Sequence, residues 1–143
     1  MTVTSEAERI VELPRERAFE LFIDYPRWHQ WMPRAFQPIA GPDRPLQQGD
    51  RLQVRIPPVK ARLRVSRVRP GEEVCWTGGG PILHAAHSFY FEDAGDGRTR
   101  IRSVEPWEGP LLHIGPLARY IKKEADRIGT AQLDAFLHFA TPR

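Results

Sequence analysis

Apolar and polar positions follow two rhythms along the chain, helical and alternating, and each stretch predicts an element. Residues 7–13 read as a short strand that Pro14 ends, and proline is well suited to the first turn of a helix. Over residues 14–22, Ala18, Phe19, Leu21 and Phe22 form an apolar side, while Arg15, Glu16, Arg17 and Glu20 suit solvent. This predicts a helix that covers something apolar. Asp24-Tyr25-Pro26 breaks it, because the residue before a proline is pushed out of the α region. Trp28 and Trp31, three residues apart, then share one face of a second short helix that Pro33 ends.

From residue 36 to residue 107 the rhythm becomes alternation, the mark of half-buried strands. Leu52, Val54 and Ile56 alternate with Arg51, Gln53 and Arg55; Pro57-Pro58 turns the chain; Ala61, Leu63 and Val65 then alternate with Arg62 and Arg64. Val68 falls on the other parity, which predicts a bulge near Ser66-Arg67. Residues 74–77 make a further strand, and Gly78-Gly79-Gly80-Pro81 reads as a flexible connection. The runs 84–93 and 98–107 form a hairpin around Gly95-Asp96-Gly97, read as a three-residue loop. That register sets Phe91 opposite Ile101, Phe89 opposite Ser103 and His87 opposite Glu105 on one face, with Glu92 against Arg100 and Tyr90 against Arg102 on the other.

Residues 117–139 return to helical spacing, with Leu117, Ala118, Ile121, Ala125, Ile128, Ala135, Phe136 and Phe139 in a broad apolar stripe. Such a helix spans about 35 Å and crosses a whole sheet. Arg119, Lys123, Asp126, Arg127 and Asp134 fall mostly on its other side. No repeat, linker or low-complexity tract interrupts the pattern, so residues 1–143 are expected to form one α+β domain.

Composition narrows this only a little. At 143 residues a chain buries enough apolar surface to fold without a disulfide or structural metal. Cys75 is the one cysteine, and no Cys/His spacing suits a metal, so no metal and no cofactor are expected. No run approaches the roughly 18 apolar residues of a membrane span, and the start carries no apolar leader; the chain reads as cytoplasmic. Its net charge of +3 demands no polyanion. Arg51, Arg55, Arg62, Arg64, Arg100 and Arg102 alternate with apolar residues and so belong to the outer face. A solvated surface explains them; an RNA or acidic-lipid contact is the sharper reading, and the near absence there of aromatics beyond Tyr90 argues against nucleic acid.

Five local features carry a resemblance to a known group: Pro14-Arg15-Glu16-Arg17-Ala18-Phe19 after the opening strand; Asp24-Tyr25-Pro26-Arg27-Trp28 through Trp31; Trp76-Thr77-Gly78; His87-Ser88-Phe89-Tyr90-Phe91-Glu92; and Gly97-Arg98-Thr99 leading to Glu105-Pro106-Trp107-Glu108-Gly109. With the element order, they make the chain resemble the START/Bet v 1-like (SRPBCC) superfamily, in its bacterial polyketide cyclase/dehydrase and lipid-transport branch. The resemblance implies a helix-grip fold, in which a curved antiparallel sheet wraps a long C-terminal helix and two short helices follow the first strand. It also implies a deep cavity suited to an apolar or aromatic ligand. The superfamily includes binders, transporters and enzymes, so fold does not fix function.

The inward set inferred from parity is Trp28, Trp31, Trp76, His87, Phe89, Phe91, Ile101, Ser103, Glu105 and Trp107, with Leu111, Leu112, Leu117 and Ile121 from the helix side. Aromatic walls with a few convergent polar groups are the usual composition of a small-molecule site, although most such residues are ordinary core. The polar members sharpen the picture, because His87, Ser103 and Glu105 are costly to bury unless hydrogen-bonded. His87 and Glu105 could act as an acid/base pair, contact a ligand, or only fix the register. Residues 108–112 and 81–83 could form a gate. Three readings stay open: a binder of a small hydrophobic molecule; a cofactor-independent cyclase, dehydratase or hydrolase using His87 and Glu105; and an interaction module without a ligand. A homodimer is compatible with each.

Overall fold

The computed structural model of the chain describes residues 2–141. Strand β1 (Thr2–Val11) leads into helix α1 (Arg15–Phe22), a 3-10 turn (Tyr25–Arg27) and helix α2 (Trp28–Trp31). Six strands follow: β2 (Gln37–Ala40), β3 (Arg51–Ile56), β4 (Val59–Arg69), β5 (Glu73–Gly79), β6 (His84–Gly95) and β7 (Arg98–Glu108). A second 3-10 turn (Pro110–His113) then delivers the chain to helix α3 (Gly115–Ala140). The strands form one antiparallel sheet in the order β1-β7-β6-β5-β4-β3-β2, so β1 leaves the meander and returns beside β7. This is the α+β helix-grip arrangement.

The alternation expected over residues 51–107 is realised in the pairing. Phe91 lies opposite Ile101, Phe89 opposite Ser103, Tyr90 opposite Arg102 and Glu92 opposite Arg100. The register slips between Val65 and Arg67, where the parity change predicts a bulge. At the β6–β7 turn the loop is shorter than expected: Gly95 pairs with Arg98, and a bulge between Asp93 and Gly95 preserves the register. Asp96 and Gly97 have φ of 55° and 71°, the left-handed pair that a two-residue hairpin needs.

Several elements differ in extent from the expectation. β1 starts at Thr2 rather than Ala7, because β7 offers a partner to every residue from Thr2 to Val11. Gly78 and Gly79 extend β5 by pairing with Ala85 and His84, leaving only residues 80–83 as connection. Strand β2 carries little alternation of its own and forms against β3. Helix α3 runs from Gly115 to Ala140, longer at both ends than the stripe suggests, and no helix of the described residues is long and apolar enough to cross a membrane.

α1, α2 and the C-terminal half of α3 close one end of the grip with an aromatic cluster. Phe22 sits at its centre, with ring centroids 4.7 Å from Phe89, 5.5 Å from Phe91, 5.5 Å from Trp31 and 5.2 Å from Phe136. Each well-oriented aromatic pair adds about 0.5–1.5 kcal/mol to its area burial. Trp28 is fully buried and donates its indole N–H to the Phe22 carbonyl at 2.8 Å, which fixes α2 against α1. Two of the α3 carboxylates on the polar side of the helix also tie it to β1: Asp126 accepts from Ser5 Oγ at 2.6 Å and Asp134 from Arg9 Nε at 2.8 Å.

Candidate functional site

Where the N-terminal half of α3 passes over β3–β7 the interior is not filled. A cavity of about 480 Å³ lies there, within the volume range of small-molecule sites. Its walls are mainly apolar. Ile56, Ala61 and Leu63 come from the β3–β4 hairpin with Pro57, Pro58 and Val59 at the tip; Trp76 comes from β5; Ala125 and Ile128 come from α3. The hairpin tip and Tyr120 stand at the solvent side, with Val59 59% and Tyr120 60% exposed.

The polar side of the wall is built by strand periodicity. Successive side chains alternate faces, so β6 sends His87 inward and β7 sends Ser103, Glu105 and Trp107 to the same side. The pairs Ala85–Trp107 and Ser88–Val104 bracket His87 and set it opposite Glu105. His87 Nδ1 lies 3.1 Å from Glu105 Oε2, and its Nε2 lies 2.7 Å from Ser103 Oγ. Trp107 donates its indole N–H to Glu105 Oε1 at 3.0 Å. The His87 ring also stacks on Phe89, 4.3 Å between centroids. A carboxylate only accepts, so Nδ1 carries the proton directed at Glu105. Burial pushes the Glu105 carboxyl upward, but the His87 charge and the hydrogen bonds from His87 and Trp107 outweigh it and hold it below its ordinary value.

Both ring nitrogens of His87 are therefore engaged, and the group with spare hydrogen-bonding capacity is the Glu105 carboxylate. Ser103, His87 and Glu105 follow the contact order of a nucleophile, base and orienting carboxylate. The serine does not serve as the nucleophile of such a set: it is 3% exposed, is not part of the cavity wall, and its hydroxyl sits 3.4 Å from where a β-carbon on Gly129 of α3 would lie. Ser103 anchors His87 from behind.

Of the residues singled out by sequence, the structure brings Trp76, His87, Glu105, Trp107, Leu111, Leu117 and Ile121 together around the cavity. Trp28, Trp31, Phe89, Phe91 and Ile101 lie instead in the packed core, because α1, α2 and Phe136 fill the sheet's concave side at that end. Leu112 is fully buried with Ala118 and Ile121 in a small cluster beside the cavity. Missed by sequence reasoning were the hairpin-tip residues Pro57, Pro58 and Val59, together with Tyr120 and Glu124, which face the cavity from a turn and from the flank of α3. Residues 81–83 and 109–112 do meet at the rim: the Leu111 N–H donates to the Ile82 carbonyl at 3.2 Å. Cys75 is buried, and among the described residues no cluster of three or more His, Cys, Asp and Glu side chains could hold a metal.

Solved structures of the same fold are similar over nearly the full chain. The Zhui aromatase/cyclase from Streptomyces sp. R1128 is 15% identical with a TM-score of 0.65, covering 98% of this chain and 94% of that one. Norcoclaurine synthase from Thalictrum flavum, in complex with dopamine and hydroxybenzaldehyde, is 11% identical with a TM-score of 0.70, covering 97% and 86%. The Staphylococcus aureus protein SA2116, of unknown function, is 14% identical with a TM-score of 0.73, covering 96% and 93%. At these identities the likeness is one of fold. No protein of curated function matches the sequence. The family model for polyketide cyclase/dehydrase and lipid transport matches residues 2–137, and so the chain belongs to that family.

Proposed function

We propose that the protein binds a small hydrophobic or aromatic molecule, lipid- or polyketide-like, in the cavity between the sheet and α3. The observation that carries this reading is the cavity itself: about 480 Å³ of largely apolar space, with its hydrogen-bonding groups gathered on one wall. An interaction module without a ligand needs an interior filled by its own side chains, and the open space under residues 117–128 of α3 counts against it. A second reading draws on the 3.1 Å contact between His87 and Glu105. A buried, ionised carboxylate beside an imidazole can take a proton from a polyketide-like substrate, in cyclase, dehydratase or hydrolase chemistry. Membership of the polyketide cyclase/dehydrase and lipid transport family supports both readings.

Native mass spectrometry of the purified protein, followed by organic extraction, tests the first reading. A co-purifying small molecule, or saturable uptake of an apolar fluorescent probe, is the expected result; a protein that is empty and also refuses the probe contradicts it. Turnover of the extracted molecule, lost in Glu105→Gln while binding persists, would establish the second.

A further inference from the structure

The cavity's polar inventory is one-sided. Its wall carries the carboxylates of Glu105 and Glu124, and among the described residues no lysine or arginine lies on it. The imidazole of His87 is the remaining titratable group at the buried end, and its Nδ1 proton is already directed at Glu105 at 3.1 Å. Glu124, nearer solvent, is met from outside the wall by Arg127, at 2.6 Å from Nη2 and 3.0 Å from Nε. Its charge is offset there, which leaves Glu105 as the group that decides what the buried end accepts.

A carboxylate offers about four lone-pair positions. His87 and Trp107 fill one on each oxygen of Glu105, and the others have no protein donor among the described residues. We infer that the site selects ligands whose polar end donates a hydrogen bond to Glu105, an amine, phenol or alcohol on an apolar body, and discriminates against carboxylate and phosphate head groups. The inference rests on the binding role proposed above and adds the chemistry of the ligand. A donor completes the shell of a partly desolvated anion, and charge-assisted hydrogen bonds of this kind are the strong ones. An anionic head would lie beside the Glu105 carboxylate in apolar surroundings where His87 is already committed to that carboxylate, and a buried unpaired charge is costly. His87 cannot turn to meet that anion without giving up both Glu105 and Ser103.

The test is a matched series on one apolar body: naphthalene, naphthol, naphthylmethylamine and naphthoate, titrated at neutral pH against quenching of the tryptophan fluorescence. Naphthol and the amine are expected to bind at least about tenfold more tightly than naphthoate, the size of one charge-assisted hydrogen bond gained or lost. In Glu105→Gln the ratio of naphthol to naphthoate affinity falls toward one, since the carboxamide no longer repels an anion. The ratio in the unaltered protein decides the question even if that variant folds poorly. Naphthoate binding as tightly as naphthol overturns this inference and leaves the binding role intact. Failure of the whole series, naphthalene included, overturns the binding role with it.

Discussion

His87 and Glu105 meet at 3.1 Å across β6 and β7, and each is held by another group on the same side of the sheet, Ser103 for the imidazole and Trp107 for the carboxylate. Four polar side chains thus satisfy one another inside an apolar interior, which makes the cluster cooperative. Removing a single member strands its partner.

That cooperativity fixes the sign of a double-mutant cycle. His87→Leu leaves the Glu105 charge largely buried without its main partner and should destabilise the protein by about 3 kcal/mol, whereas adding Glu105→Leu should recover most of that loss. Denaturant unfolding of the two single variants and the double variant checks this. Losses that simply add would mean that the two side chains do not support each other.

Acid sensitivity has a source outside the cavity wall. Arg44 donates to both oxygens of Asp50 at 2.8 Å, and Gln47 adds its backbone N–H at 2.7 Å. The Arg44 hydrogen bonds, opposed by burial and assisted by Gln47 and the Arg44 charge, hold the Asp50 carboxyl below its ordinary value. A carboxyl held lower in the folded chain than in the unfolded one stabilises the fold fully above the ordinary carboxylate range. That contribution disappears as pH falls through the folded value. Glu105 and Asp126 shift in the same direction. Stability should therefore decline steadily below about pH 4, and Asp50→Asn should lower stability at neutral pH while flattening that decline. Unfolding curves across the acid range give both slopes, and an unchanged slope in the variant would remove Asp50 from the explanation.

Gln132 of α3 is fully buried, and neither atom of its amide finds a hydrogen-bond partner among the described residues. An unsatisfied buried amide costs about 1–3 kcal/mol, so Gln132→Met, close in length and shape, should raise the thermal midpoint. A lowered midpoint would show that the amide is satisfied in solution.

Gly109 adopts φ 130°, and a β-carbon there would come within 2.3 Å of the Ile82 carbonyl oxygen. Backbone faces backbone at this point, leaving nothing flexible to move aside. Gly109→Ala should push residues 81–83 away from the 109–112 turn, destabilise the fold by more than about 1 kcal/mol and loosen the cavity rim that Leu83 and Leu111 line. Faster proteolysis within residues 80–83 is the readout; unchanged protection would place the two segments apart in solution.

The β6–β7 hairpin was legible in the sequence because parity and turn chemistry agree there: aromatics on one parity, ion-pairing residues on the other, and Gly95-Asp96-Gly97 between them. Parity reveals the face of a residue but not its depth. Phe89, Phe91 and Ile101 point to the same side as His87 and Glu105, yet they belong to the packed core that includes Phe22 and Phe136 rather than to the cavity wall. That difference is tertiary and leaves no local trace. Pro57-Pro58 read as a turn, and only the folded hairpin brings them and Val59 to the cavity. Asp126 and Asp134 look like solvent positions on a helical wheel, and they pair with Ser5 and Arg9 because β1 lies under that flank of α3.

Whether the space beneath α3 takes a ligand decides the role of the protein. Ala125 faces it from the helix and is 4% exposed, so Ala125→Phe would fill part of the cavity without removing any polar contact. Titrating an apolar fluorescent probe into the unaltered protein and into this variant, both verified as folded by circular dichroism, is the most direct measurement. Saturable binding to the first and a loss of at least about tenfold in the second are expected, since a bulky ring takes the ligand's place. Equal binding by both proteins, or none by either, would contradict the binding role.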